Sequence, residues 1–574
     1  MTAPPIPDAT PTARIDGMLA TLSERAPQWA RLPVARKREL LEGLKPRVGK
    51  AAGRWVTAAA RAKGLPEGSP LRGEEWASGP WALAAYVDPL ARTLRAVEED
   101  ALDELVEGKV RQRADGQTVV RVLPDGVTDH LLFSGITVDV WQQPGVTPET
   151  LADTMARVHR TIAPDGGVAV VLGAGNIAAI PPLDVLYKLY ADGEVVLLKM
   201  NPVNSYLGPI LEEVFEEFVA AGYLQLAYGG ADVGEHLTRH ALVDSIHVTG
   251  SAQTHDAIVY GTGPDGAARK AADDPAIDTP VTSELGGVSP CLVVPGDWSE
   301  PDLQFQAEHV ASQKTHNGGF NCIATQALVL PEAWPQRQAF LDTVCETLAE
   351  LPGREPYYPG AEDRVEAAQD GAQRFVEAEP THTAIVEVAA DDEGAFQTEY
   401  FANALAVTTL PGGEDPGEWL DRAVDFCNER VAGTLGITIL IHPRTLRRLG
   451  DRFWDAVARL RYGTIGVNIW SGVGFFVAGA SWGAFPGHAR DDIQSGTGVV
   501  HNAYLFGEPQ KTVIQGPFAP FPRSLLLGEA HAAPRPIWFV TNDQAETAAR
   551  RLLDFTVDPS PLRLPGIVSA ALRG

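Results

Sequence analysis

Cysteine is scarce in this chain: four residues in 574, Cys291, Cys322, Cys345 and Cys427, with no C-x-x-C pair among them. A disulfide framework, a structural zinc site and any other metal centre are therefore not expected, and cysteine chemistry, if present, is that of a single thiol. Positive charge is also short, with 47 Lys and Arg against 74 Asp and Glu and a formal net charge of −27. That balance excludes a nucleic-acid backbone or an anionic membrane surface as the main partner. No stretch approaches about 18 consecutive apolar residues, and the opening MTAPPIPDATPTA has no basic segment leading into an apolar one. Neither a membrane span nor a secretory leader is expected, and a cytoplasmic location is. What remains is a globular composition, 45% hydrophobic and 21% charged, on a chain too long for one core.

Residues 12–130 read as mostly helical, with apolar positions at helical spacing in RIDGMLATLSERAPQWARL and in KRELLEGLKPRVGKAAGRWVTAAARAKG, the latter stopping at Gly64. From about residue 131 the period changes. LLFSGITVDVWQQPG alternates like a strand pair, and GGVAVVLGAGN, a helix, GEVVLLKMNP and the helix GPILEEVFEEFVAAG follow in turn. Ile210, Val214, Phe218 and Ala221 share one face of that last helix, which Gly222 closes. Strand and helix alternate onward through VDSIHVTGS, the pattern of an open, mainly parallel α/β sheet. Residues 261–281 read as a surface loop, and the end of the chain as a proline-punctuated tail followed by a last β/α-like piece.

The turn Gly173-Ala-Gly175-Asn176-Ile-Ala178 fits G-x-G-x-x-A between a buried strand, Val168–Leu172, and a helix start. A Rossmann-type turn needs a carboxylate about 20 residues on, at the end of the second strand. Here that strand ends in Lys199, and Glu194 stands at its wrong end. Asn176 therefore calls for another role. TSELGGVSP (282–290), HNGGFNCIA (316–324) and TEYFANAL (398–405), together with Asn176, Lys199 and HVTGS (247–251), occur in an order that resembles the aldehyde dehydrogenase superfamily over about residues 130–510. Asn176 stands 23 residues before Lys199, the spacing between that family's oxyanion asparagine and its cofactor-binding lysine. By the same resemblance Glu284 matches the general base and Cys322 the nucleophile. Gly250 and Ser251 match cofactor-binding positions, and Glu399 and Phe401 the pair that positions the nicotinamide ribose and ring.

These residue types suit the chemistry. Hydride does not leave a carbonyl carbon readily, and a thiolate that adds first solves this. Cys322 would form a tetrahedral thiohemiacetal whose oxygen is held by the Asn176 amide and the Cys322 backbone N–H, and Glu284 would activate water against the resulting thioester. Cys291 and Cys345 lie in apolar runs and read as structural. His316, six residues before Cys322, admits a cysteine–histidine hydrolase reading, although local spacing says little about such pairs. Trp470, Phe475, Phe476 and Trp482 either line a substrate tunnel or pack the core.

The surroundings depart from the family pattern. Ala174-Gly175 stands for Pro-Trp, Val288 for a lysine, Phe320 for a glutamine, His255 for a glycine, Ala402-Asn403 for Gly-Pro, and WGAFPGHARDD for a Pro-Phe-Gly-Gly stretch. The resemblance implies an α/β fold with a Rossmann-like cofactor domain (1–130 and 148–283), an α/β catalytic domain (284–499), a β oligomerisation element (131–147 and 500–517) and an extension (518–574). It implies NAD(P)-dependent oxidation of a small-molecule aldehyde to a carboxylate. Two alternatives stay open, an acyl-thioester (acyl-CoA) reductase releasing an aldehyde and a non-catalytic protein on the same fold. Lys199 is followed by Met200-Asn201-Pro202, so the glutamate commonly found three residues after the lysine, which disfavours a 2′-phosphate, is absent. Use of both NAD and NADP with a modest tilt to NADP is expected. The alternating segments near 131–147 and 500–517 would leave an unpaired edge in a monomer, so a homodimer or homotetramer is expected.

Overall fold

The computed structural model describes residues 6–161, 165–370, 374–378 and 381–574. Two sheets organise the chain, and the α/β class expected from the sequence is the one observed. The smaller runs in the order Gly496–Thr497, Val281–Leu285, Ser245–Gly250, Val168–Leu172, Val195–Lys199, Leu224–Ala227. All neighbours in it are parallel except the first pair. Strand order reverses beside Val168–Leu172, so a crevice opens at the carboxyl ends of the strands, the usual ligand position of an open α/β sheet. Leu172 pairs with Lys199 in register, which brings the glycine turn and the lysine to that crevice together.

The larger sheet has eleven strands and runs from Val110–Gln112 through Thr118–Leu123, Thr137–Gln142, Pro509–Gln515 and Thr464–Val467 to Arg374–Ala378 at its other edge. Its parallel centre includes Pro290–Val293, Ala327–Pro331 and Ala404–Leu410. The helix Glu300–Thr315 connects Pro290–Val293 to the loop that carries Cys322. Its start is defined by a capping box, Ser299 against Asp302, with Pro301 in the first turn.

Several sequence expectations need correction. The first 130 residues are not all helical, because Val110–Gln112 and Thr118–Leu123 are strands. The segment at 131–147 is not a strand pair: Val127–Leu132 is helical, and Thr137–Gln142 is one strand, bonded to Thr118–Leu123 on one side and Pro509–Gln515 on the other. It therefore has no free edge within the chain, and the edge-based reason for a dimer or tetramer falls away. Residues 261–281 contain the helix Gly263–Ala272, where Pro264 sits at a helix start, a position proline tolerates well. The helix at 208–222 is broken at Phe215 into Gly208–Val214 and Glu216–Ala220.

The last 57 residues carry no strand; their longest element is the helix Ala545–Val557. It packs so closely on Arg72–Trp76 that a Cβ on Gly73 would stand 2.6 Å from the Ala545 carbonyl carbon. Glu546 accepts hydrogen bonds from Arg72 and from the Trp76 indole, and Leu553 is buried in the largest core cluster. No helix among the described residues is long and apolar enough to cross a membrane. Leu553→Ala is expected to destabilise the fold by about 2–5 kcal/mol, whereas Leu562→Ala, at a side chain 91% exposed, changes it by less than about 0.5 kcal/mol. Denaturant midpoints of the two variants check the contrast.

Candidate active site

Asn176, Lys199, Gly250, Ser251, Glu284, Cys322, Glu399 and Phe401 line one cleft of about 1180 Å³. Residues spread over more than 200 positions of sequence thus meet at the crevice of the smaller sheet and at the amino ends of the strands Ala327–Pro331 and Ala404–Leu410 of the larger one. Gly250 ends the strand Ser245–Gly250, and the Ser251 hydroxyl accepts from the Thr254 N–H to cap the next helix. Lys199 ends its own strand, and no carboxylate lies within ion-pair distance of its ammonium among the described residues. Burial lowers its pKa, with Asp232 opposing. A cation held facing a cleft without a paired acid suits an anionic ligand. Glu194 does not reach the cleft, since its carboxylate accepts from Ser245 and Lys188.

Cys322 follows a tight turn in which Asn317, Gly318 and Gly319 all take positive φ, at 55°, 67° and 81°. Asparagine and glycine are the residues that adopt this conformation at least cost. The Cys322 Sγ lies 3.4 Å from Glu284 Oε1 and donates to it, and the Trp482 indole donates to the same oxygen at 3.1 Å. Burial pushes the Glu284 carboxyl up to about 7, against the lowering effect of those two hydrogen bonds. Burial, then the charges of Glu284 and Glu399, hold the Cys322 thiol well above its ordinary range. The thiol therefore needs a base to ionise, and the group already accepting its proton is Glu284.

Glu399 reaches in over Gly286, where a Cβ would lie within 1.9 Å of its carboxyl oxygen. Burial and the neighbouring Glu284 push Glu399 up to about 8, with Arg364 and Lys314 opposing. Phe401 adopts φ 46°, its carbonyl accepts from Arg364 Nε at 3.2 Å, and its ring meets Tyr358 edge-on at 5.0 Å. Asn176 donates through Nδ2 to the Phe320 carbonyl at 3.0 Å, which holds its amide beside the Cys322 loop. His316 packs on Trp470 and meets Asn321, with no hydrogen bond to Cys322, so the geometry offers nothing to a cysteine–histidine hydrolase.

Sequence reasoning missed the residues that hold this loop. The Asn317 amide donates to the carbonyls of Asn176 and Phe320, while its Oδ1 accepts from Lys63 at 2.9 Å and Tyr357 at 3.1 Å. Its backbone N–H donates to Glu74, which is paired with Arg354. Burial alone would raise the Glu74 carboxyl, but His316 and Arg354 outweigh it and hold it low. Lys63 also binds Glu75 at 2.8 Å, both side chains being almost fully buried. Nothing in the helical pattern around Lys63 and Glu74 distinguishes them from solvated surface charges. Trp482 was noted only as one of four aromatics, and its bond to Glu284 has no local signature.

A model of the aldehyde dehydrogenase family matches residues 142–409. Residues 142–409, just under half of the chain, are thus similar to the aldehyde dehydrogenase family. It is 27% identical to N-succinylglutamate 5-semialdehyde dehydrogenase 1 of Caulobacter vibrioides, over 45% of this chain and 50% of that protein. It is also 27% identical to coniferyl aldehyde dehydrogenase of a Pseudomonas species, over 44% and 49%. The chain thus spans about half the length of these curated relatives. Its fold is similar to that of an NADP-dependent glyceraldehyde-3-phosphate dehydrogenase from Bacillus halodurans, with TM-score 0.57, 15% identity and coverage of 88% of this chain and 92% of that one. The aldehyde dehydrogenase KauB from Pseudomonas aeruginosa gives 0.57, 18%, 88% and 89%. The family match ends at residue 409, so the C-terminal helices lie outside it.

Lys63→Met would leave Glu75 buried without its closest cation and Asn317 Oδ1 without one donor. A loss on the order of 3 kcal/mol is expected, as for other broken buried pairs, read as a lower denaturant midpoint than that of an exposed control such as Arg36→Met.

Proposed function

We propose that the chain is an NAD(P)-dependent aldehyde dehydrogenase in which Cys322 is the nucleophile, Glu284 the general base and Asn176 the oxyanion donor. The observation that carries this reading is the Sγ–Oε1 contact of 3.4 Å between Cys322 and Glu284 in a cleft shared with Asn176 and Glu399. The cofactor domain, expected over 1–130 and 148–283, is assigned to residues up to 109 and 148–283 around the smaller sheet, because the strands Val110–Gln112 and Thr118–Leu123 join the larger one, and the catalytic domain to 284–499.

Glu284 takes the thiol proton as Sγ adds to the aldehyde carbon. The Asn176 amide and the Cys322 backbone N–H stabilise the oxyanion of the thiohemiacetal. A nicotinamide held by Glu399 and Phe401 would supply the hydride acceptor for oxidation at that carbon. The product on Cys322 is a thioester; Glu284 gives up the thiol proton to solvent and then takes one from water as the water attacks the acyl carbon, and the C–S bond breaks to release the carboxylic acid and the Cys322 thiolate. With Glu284 up to about 7, the base form predominates only above neutral pH, so turnover should rise with pH through about 7. Removing the lowering hydrogen bond in Trp482→Phe should move that midpoint upward.

The cleft fits a dinucleotide by its lining. Gly175 approaches Asn201 so closely that a Cβ would lie 2.7 Å from Oδ1, and the unpaired Lys199 stands beside it. Lys199, Gly250 and Ser251 would hold the adenosine and phosphate end, and Glu399 and Phe401 the nicotinamide end. Pro202 supplies no charge against a 2′-phosphate while the largely buried Lys199 lines the cleft, so both cofactors serve with a modest tilt to NADP.

Three measurements check this reading. Cys322→Ala should lose turnover and keep cofactor affinity. Glu284→Gln should release close to one equivalent of reduced cofactor per site, more slowly than the parent, and then stall as the acyl-enzyme; steady turnover in either variant would overturn the assignment. Pro202→Glu should shift kcat/KM toward NAD by up to about tenfold, and a parent enzyme already favouring NAD a hundredfold would contradict the cofactor reading.

A further inference from the structure

A second cavity, of about 590 Å³, shares no lining residue with the cleft. Its wall is built from the helices around Ala77–Pro89, the stretch Asn468–Gly479 and the C-terminal segment from Ala533 to Ala571, with Trp81, Phe305, Phe476, Trp538 and Phe539 among its aromatic groups. The C-terminal segment, which lies outside the family match, thus closes a cavity that the rest of the chain would leave open. Two of the lining residues, Val473 and Trp538, pack with Cys322 against one apolar cluster that includes Ile323 and Trp470. The cavity wall and the Cys322 side chain thus pack against the same cluster, while the thiol itself lines the cleft.

His309, 1% exposed, lines this cavity from the helix Glu300–Thr315. Its protonation pattern is set by a chain of hydrogen bonds. Gln306 Nε2 donates to the Phe518 carbonyl at 2.7 Å, so Gln306 Oε1 faces His309 Nδ1 at 3.1 Å and can only accept. Nδ1 carries the proton, and Nε2 is left as a lone-pair acceptor. Among the described residues Nε2 has no hydrogen-bond partner. The rings of Trp538 and Phe539, centred 5.1 and 5.5 Å away, fix the imidazole in place, and burial pushes its pKa down to about 3, so it stays neutral. Glu74 Oε1, on another lining residue, is likewise buried and unpartnered. Other charged lining groups are engaged: Asp88 by Lys45, and Asp125 by Arg92 and Lys109. The cavity thus offers aromatic surface and free acceptors. A ligand that satisfies it must be largely apolar and bring a hydrogen-bond donor of its own.

We propose that this cavity holds the substrate of the dehydrogenase reaction, and that the substrate is an aromatic aldehyde bearing a hydroxyl group, which donates to His309 Nε2 while the ring packs among Trp81, Phe476 and Trp538. The substrate assignment rests on the dehydrogenase reading given above; the hydroxyl selectivity of the cavity does not.

Binding and turnover on the full-length protein test the two separately. The probes are 4-propenylphenol and propenylbenzene, which differ only in the phenol hydroxyl and cannot be dehydrogenated, titrated by calorimetry, and 4-hydroxycinnamaldehyde and cinnamaldehyde assayed with NAD and NADP. The parent protein should bind 4-propenylphenol about tenfold or more tightly than propenylbenzene and show the same preference in kcat/KM for the hydroxylated aldehyde. His309→Leu should erase the preference while its affinity for propenylbenzene stays within about threefold, and His309→Gln, whose amide oxygen can accept in place of Nε2, should restore part of it. Equal affinities in the parent protein, or a preference that survives in His309→Leu, would overturn the proposal. If His309→Leu fails to fold, the parent comparison and His309→Gln still decide it. A preference in binding with no oxidation of either aldehyde would overturn the substrate assignment together with the dehydrogenase reading, and leave a hydroxyl-selective cavity standing.

Discussion

The side-chain amide of Asn317 ties together the two pieces of backbone on which the candidate site is built. Its nitrogen bridges the carbonyls of Asn176 and Phe320, and its oxygen is held by Lys63 and Tyr357. The residue sits at positive φ at the start of the turn into Cys322, so one side chain sets both the path of the nucleophile loop and its distance from the oxyanion turn. Behind it stands a buried set of charges, Lys63, Glu74, Glu75 and Arg354, drawn from the first helical segment and from a loop near residue 354. Such a set is costly to bury and costly to break. Its benefit is positional, since it locks a loop that would otherwise be a mobile connection between helix and strand.

The electrostatics of the cleft follow from the same enclosure. Glu284 and Glu399 are both buried, the charge of Glu284 further raises Glu399, and the cations Arg364 and Lys314 act on Glu399 and not on Glu284. Burial pushes Lys314 itself down to about 7. A base near neutrality is the condition for accepting a proton from a thiol and later from water at ordinary pH. Trp482 moderates the shift by donating to the same oxygen that Cys322 faces. The arrangement is thus a pair of carboxyls tuned by burial, with one tryptophan as the adjusting hydrogen bond.

Much of the smaller sheet was legible in the sequence, because continuous apolar runs such as Val168–Leu172 and Val195–Lys199 are what a strand covered on both faces requires. The motif residues were legible too, since glycine and asparagine at a tight turn and a cysteine among glycines have local signatures. The errors fell where local composition competes with tertiary context. Gly263-Pro264 looks like a loop and starts a helix. The segment at 131–147 supplies a single strand whose partners lie at 118–123 and 509–515, and long-range pairing of that kind leaves no trace in periodicity.

The sequence by itself determined the α/β alternation, the order of the motif residues and their chemical types, because these depend on neighbours within a few turns of chain. Only the tertiary structure decided which groups meet: Trp482 on Glu284, Lys63 on Asn317, Gln306 on His309, and the C-terminal helix on Arg72–Trp76. The reason is physical. A hydrogen bond or a buried charge acts over about 3 Å in space, and most of these partners stand far apart in the chain, so packing and not local propensity brings them together. The same holds for the free acceptor of His309, whose lone pair is fixed by a glutamine one turn away only because that glutamine is itself held by the carbonyl of Phe518, 212 residues downstream.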